Sequence, residues 1–242
     1  AFAVAILALL VAIVSPLDAL AEALFSVHMV QHLLLILVAA PLIVIARPIV
    51  PALRVLPSEW RAEVARIGAP RTAVRRAWSR LTSPIGAWAI HGLAIWLWHI
   101  PPLYDAAIDS ELVHSLEHAT FLVTGILFWW SVIPAVRTRT SARQGLAVLS
   151  LFTTAFHSSL LAALITFSNS VWYSSHRDLP LTWGFDPLQD QQLAGVIMWL
   201  PMGIIYAIAA AVILATVLKR MEAEENDGDA GVVPRRRSPE LG

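Results

Sequence analysis

The stretch Phe25 to Ile45, FSVHMVQHLLLILVAAPLIVI, decides how the chain is read, because it heads a run suited to hydrocarbon with two histidines and a glutamine. His28 and His32 stand four residues apart with Gln31 between them, so a helix places all three on one face. Ionisable groups inside a membrane span are costly and normally face a bundle interior, where they mark a site. His91, His114, His118 and His157 also lie in apolar segments. The pattern predicts a membrane bundle organised around buried imidazoles.

Composition agrees. Of 242 residues, 57% are hydrophobic and only 14% charged, and the mean hydropathy is +0.68, far from the balance of a soluble domain. Lys+Arg and Asp+Glu both total 17, so no basic footprint points to a nucleic-acid partner. The lipid bilayer is the predicted surrounding. Without cysteine, disulfides, thiolate metal sites and cysteine catalysis are excluded, leaving His, Met and carboxylates as candidate ligands.

Six apolar segments follow: Ala1 to Val14, Leu24 to Ile45, Pro84 to Ile100, Leu112 to Ile133, Gly145 to Phe167 and Leu193 to Leu218. Lipid requires every backbone group to be satisfied internally, so the predicted fold is all-α, a polytopic transmembrane helix bundle over residues 1–218. The first run is shorter than the roughly 20 residues that cross a bilayer and reads as truncated. A signal peptide is disfavoured because no basic region precedes it. Pro16 and Pro84 sit near helix starts, where proline is tolerated, whereas Pro41 and Pro201 predict kinks.

Loop charge sets the orientation. The link 46–83 carries Arg47, Arg54, Arg61, Arg66, Arg71, Arg75, Arg76 and Arg80 against Glu59 and Glu63, and the link after the fourth segment carries Arg137, Arg139 and Arg143. Both are predicted to be cytoplasmic. The tail 219–242 reads as disordered and cytoplasmic. The alternating links hold Asp18 and Glu22, then Asp105, Asp109 and Glu111, then Arg177 with Asp178, Asp186 and Asp190, and are predicted to face outward. Pro57 to Arg80 reads either as basic amphipathic helices on the inner leaflet, with Trp60 and Trp78 at the interface, or as a loop that only sets topology. Trp96, Trp98, Trp129, Trp130, Trp172 and Trp183 fall near segment ends and read as interfacial.

That topology fixes the depth of each residue. At about 1.5 Å rise per residue, His32 lies roughly 12 Å, His91 13 Å, His118 9 Å, Met198 8 Å and His157 15 Å below the outer ends of their helices. Imidazoles on four helices thus reach one level. A shallower tier holds His28, His99 and His114 with Asp105, Asp109 and Glu111, placed to receive a cation from outside. Gln191, Met198 and Met202 share a helix face, and imidazole plus thioether suits copper or haem iron. The plain alternatives are a hydrogen-bonded His157 beside Thr153 and Thr154, and packing for the two methionines.

Four ordered motifs, HMVQHLLLILVAAPLIVIARP, WLWHIPPLYDAAIDSELVHSLEHATFLVTGILFWWSVI, FHSSLLAALITFS and WGFDPLQDQQLAGVIMWLP, resemble the CtaG family of bacterial cytochrome c oxidase assembly factors, the multi-spanning kind. The resemblance runs from about Ser15 to Leu218. It implies a bacterial plasma-membrane protein that helps to mature a haem-copper oxidase subunit, handling copper for it. The matching positions are His28, Gln31 and His32; His99, His114, Glu117 and His118; His157; and Asp190, Gln191 and Met198. Family members commonly carry a further helix at the front.

The leading expectation is a non-enzymatic copper-handling factor. Its alternative is a membrane protein in which two opposed histidines ligate a b-type haem for electron transfer. A zinc-dependent intramembrane hydrolase using Glu117 is disfavoured, since the sequence has no HExxH.

Overall fold

The computed structural model describes residues 1–67, 69, 72–138 and 140–230. Its helices are α1 (Phe2–Ile13), α2 (Pro16–Ala23), α3 (Phe25–Leu33), α4 (Ala40–Ala46), α5 (Ile49–Val55), α6 (Ser58–Ile67), α7 (Ala73–Leu81), α8 (Pro84–Trp98), α9 (Pro101–Asp109), α10 (Glu111–Val132), α11 (Ser141–Thr166) and α12 (Pro187–Ala230). Between α3 and α4 the chain is a π-helix over Leu34–Ala39, and no strand occurs among the described residues.

The all-α membrane fold is as expected. By length and composition, four helical stretches can cross a bilayer: Phe25–Ala46, Glu111–Val136, Ser141–Thr166 and Pro187–Glu224. The pair α1 and α2, bent by 45°, makes a fifth if taken together. The count of six is not established. The third apolar segment forms α8, whose 15 residues rise only about 22 Å, short of a hydrocarbon core of about 30 Å. Pro101 and Pro102 stop it, since neither can supply the N–H that would continue the ladder.

Two prolines shape the bundle by orphaning carbonyls. Pro16 cannot donate to Ala12 O, so Gln31 Nε2 does, at 2.6 Å, while also donating to Asp18 Oδ1 at 2.8 Å. At Pro41 the π-helix shifts the ladder, and Ala40 N–H bonds to Leu35 O. Ile36 O would then need the missing N–H of Pro41, and the indole Nε1 of Trp129 donates to it at 2.8 Å. Trp129 is therefore buried, not interfacial: its N–H completes a broken ladder inside the bundle. Pro201, in contrast, lies within α12, a continuous helix.

Along α12, Met198, Met202, Tyr206 and Ile213 face the core, and Leu200, Ile204, Ile208 and Val212 face outward, as a lipid-exposed helix requires. α11 and α12 form the most extensive helix pair. They pack tightly at Gly195, where an added Cβ would stand 2.8 Å from Ala162 O. The arginine-bearing links gather at one end: Trp78 meets Trp130, and Arg220 donates to Thr138 O and Val136 O. Residues 219–230 continue α12 as helix, and the remainder of the tail, with Arg139 and Arg71, lies outside the described residues. α6 and α7 are formed, with Trp60 and Trp78 exposed.

Candidate metal centre

α3 begins without a side-chain cap of its own. Asp190 of α12 supplies one from across the bundle, accepting from Phe25 N at 2.7 Å, Ser26 N at 3.2 Å and Ser26 Oγ. A buried carboxylate on a helix N-terminus satisfies its orphan amides and complements its dipole. The start of α3 is thereby fixed, and His28 and His32 follow on the next two turns. Asp190 acts on the centre through this cap.

α3 faces α10, where His114 and His118 repeat the spacing. The ring centroids of His28 and His32 lie 4.3 Å apart, those of His114 and His118 4.2 Å, and across the helices His28 stacks on His114 at 5.2 Å. His118 stands 5.8 Å from His28 and 5.4 Å from His32. Glu117 enters the same space, with Oε2 3.4 Å from His28 Nε2 and Oε1 3.6 Å from His32 Nε2. Two overlapping groups result among the described residues: His28, His114 and His118; and His28, His32 and Glu117. In each, the donor atoms lie within 4.8 Å of one another.

These atoms are buried and unsatisfied. Both ring nitrogens of His28 and His32, Nε2 of His114 and His118, and both oxygens of Glu117 have no hydrogen-bond partner. Each such atom costs about 1–3 kcal/mol, so the cluster is intelligible only if something compensates it. Imidazole nitrogens with one carboxylate are a fitting donor set for copper, zinc or iron.

Deeper in the bundle, His32 also lines a cavity of about 10 Å³ with His99, Met29, Met198, Met202 and Phe121. His99 Nδ1 lies 2.6 Å from Ile95 O. A carbonyl can only accept, so Nδ1 carries the proton and the lone pair is on Nε2, which is buried without a partner.

Above the cluster lies a cap of three residues absent from the expectations. Tyr104 packs edge-on against His28 at 5.1 Å, and its hydroxyl donates to His176 Nε2 at 2.9 Å. His176 Nδ1 in turn faces Ala23 O at 3.4 Å, and burial pushes this imidazole below its usual pKa. The Tyr173 hydroxyl donates to His99 O at 3.1 Å. Asp105 ties the cap down by accepting from Ser174 N and Oγ and from Ser175 N and Oγ, at 2.6–3.2 Å. Partial burial raises the Asp105 carboxyl, but these four bonds outweigh it and hold the group below its usual range. The only available signal for the cap was a run of Tyr, Ser and His between two spans.

Several residues expected at the centre lie elsewhere. His91 Nδ1 pairs with Thr124 Oγ1 at 3.1 Å, and His157 Nδ1 accepts from Trp96 Nε1 at 3.3 Å. Neither belongs to the two donor groups. The rise along a helix gives height and not direction, so equal depth did not mean convergence. Gln31 spends its amide hydrogens on the α1–α2 joint. Gln191 braces the cap, accepting from Trp172 N at 2.7 Å and donating to Ser170 O at 3.0 Å. Asp109 and Glu111 are exposed at the rim.

The chain is 31% identical over 188 residues to an uncharacterized protein of Mycobacterium bovis and, to the same extent, to one of Mycobacterium tuberculosis, the alignments covering 76% of this chain and 28% of each relative. An uncharacterized protein of Mycobacterium leprae is 27% identical over 194 residues, covering 74% of this chain and 28% of the relative. The chain thus spans little more than a quarter of the length of these curated relatives. No solved structure matches. The model of the cytochrome c oxidase caa3 assembly factor family (Caa3_CtaG) matches residues 1–220, and the chain therefore belongs to that family of oxidase assembly factors.

Proposed function

We propose that this protein holds copper as cargo for a haem-copper oxidase subunit, without catalysing a reaction, and that the ion is bound by His28, His32, His114, His118 and Glu117. The observation that carries the reading is the convergence of five side chains from two helices on one another, four of them buried and His114 half-buried, with buried donor atoms that lack hydrogen-bond partners. A cation would satisfy them and offset the cost of burying the carboxylate. The arginine-rich end faces the cytoplasm, the terminal part of α12 lies on that side, and the capped end faces outward. The ion enters from outside, past Tyr104 and His176.

Haem is the second ligand to weigh. The five side chains are already in contact with one another, and the adjoining cavity measures only about 10 Å³. That favours a bare ion over a macrocycle. Metal analysis and visible absorption of the chain extracted in mild detergent test the proposal together. It predicts bound copper without a Soret band, and a Soret band with sharp reduced α and β bands would replace it with the haem reading.

A further inference from the structure

Three of the chain's four methionines, Met29, Met198 and Met202, line the cavity beneath the histidine cluster, although they come from α3 and α12 and lie far apart in sequence. They share it with His32 and His99. Methionine often fills gaps in a core, but gap-filling does not explain the two imidazoles beside them. His99 donates Nδ1–H to a backbone carbonyl and leaves Nε2 bare, which is how a metal-binding histidine is ordinarily held. His32 has both ring nitrogens unpaired.

We propose that this chamber is a second cation position, built for a univalent soft ion such as Cu(I), with Ag(I) as its redox-inert analogue. The proposal rests on the reading of the histidine cluster as a metal centre and extends it inward. Thioether and imidazole donors favour soft univalent copper. Charge argues the same way. No carboxylate lines the chamber, and the cost of burying an ion rises steeply with its charge, so neutral donors tolerate one positive charge far better than two. The group above contains Glu117 and can balance a divalent ion. His32 belongs to both, and so can hand an ion from one position to the other by ligand exchange, with no change of oxidation state. The chamber is thus a filter for the reduced ion and the inward end of the path.

The test uses the whole chain in mild detergent under anaerobic, reducing conditions, titrated separately with Cu(I), Ag(I) and Zn(II). X-ray absorption of the Cu(I)- or Ag(I)-loaded protein should show sulfur scatterers. The triple variant Met29→Leu, Met198→Leu, Met202→Leu, which roughly conserves volume, should lose that shell and bind Ag(I) at least tenfold more weakly while Zn(II) uptake stays unchanged. A sulfur-free spectrum in the unaltered protein, or an unchanged Ag(I) affinity in the triple variant, overturns the proposal. Should the triple variant not fold, Met202→Leu alone decides: a thinner sulfur shell with Zn(II) uptake intact supports it, and an unchanged shell overturns it. Unchanged Zn(II) uptake in His28→Ala would instead sink the underlying reading of the histidine cluster.

Discussion

Glu117 Oε2 lies 3.4 Å from His28 Nε2, and both side chains are wholly buried. A carboxylate placed at this depth without a hydrogen bond serves to balance charge brought in by something else. Glu117→Gln keeps the shape and removes the charge. It should weaken Zn(II) and Cu(II) binding by tenfold or more, about 1.4 kcal/mol, and change Ag(I) binding far less. Isothermal titration with each ion checks this, and equal weakening for both charges would argue against the charge-balancing role.

Asp190 should matter to folding before it matters to metal. Asp190→Ala strips the cap from α3 and leaves the amides of Phe25 and Ser26 without their acceptor. A loss of about 1–3 kcal/mol is expected, read as a lowered unfolding midpoint in detergent even in metal-free protein. An unchanged midpoint would mean that water replaces the carboxylate.

The pH dependence of the cap follows from Asp105. Its carboxyl is held below the usual range in the folded protein, so the unfolded state takes up protons first. The stabilisation is therefore full above a usual aspartate pKa of about 3.9 and is lost as pH falls through the lower folded value. Hydrogen exchange at Ser174 and Ser175 should rise below about pH 4 relative to the bundle. Asp105→Asn should raise it at neutral pH and flatten the acid response. A variant with the same profile as the unaltered protein would show that the serines are held by other contacts.

Much of this architecture was legible because hydrophobic length and histidine spacing are local. The i, i+4 pairs His28/His32 and His114/His118 needed only helical periodicity to share a face. What escaped was set by long-range complementarity. No local pattern says that Trp129 answers Pro41, that Asp190 caps a helix 165 residues away, or that His176 reaches Tyr104. His91 and His157 reach a similar height on their helices but stand outside the two donor groups, because helical rise gives height and not direction. The third apolar run continues to Ile100, whereas α8 ends at Trp98 ahead of Pro101 and Pro102, so apolar length overstates the helix.

Single cysteines at Arg75 and Asp109 test the orientation. Only the cysteine at position 109 should react with an impermeant thiol reagent in intact cells, and both should react after permeabilisation. Labelling of both in intact cells would overturn the topology, and labelling of position 75 alone would reverse the proposed entry side.

The two donor groups meet at His28, and this makes the decisive comparison. Within the one centre, His32 and His118 enter different overlapping groups: His118→Ala leaves His28, His32 and Glu117, and His32→Ala leaves His28, His114 and His118. The measurement is bound metal per folded chain in His32→Ala, His118→Ala, the double variant and His28→Ala. The account predicts that each of the first two keeps most of its metal, while the double variant and His28→Ala both lose nearly all of it. Metal retained in His28→Ala at the level of either single variant would contradict the shared centre.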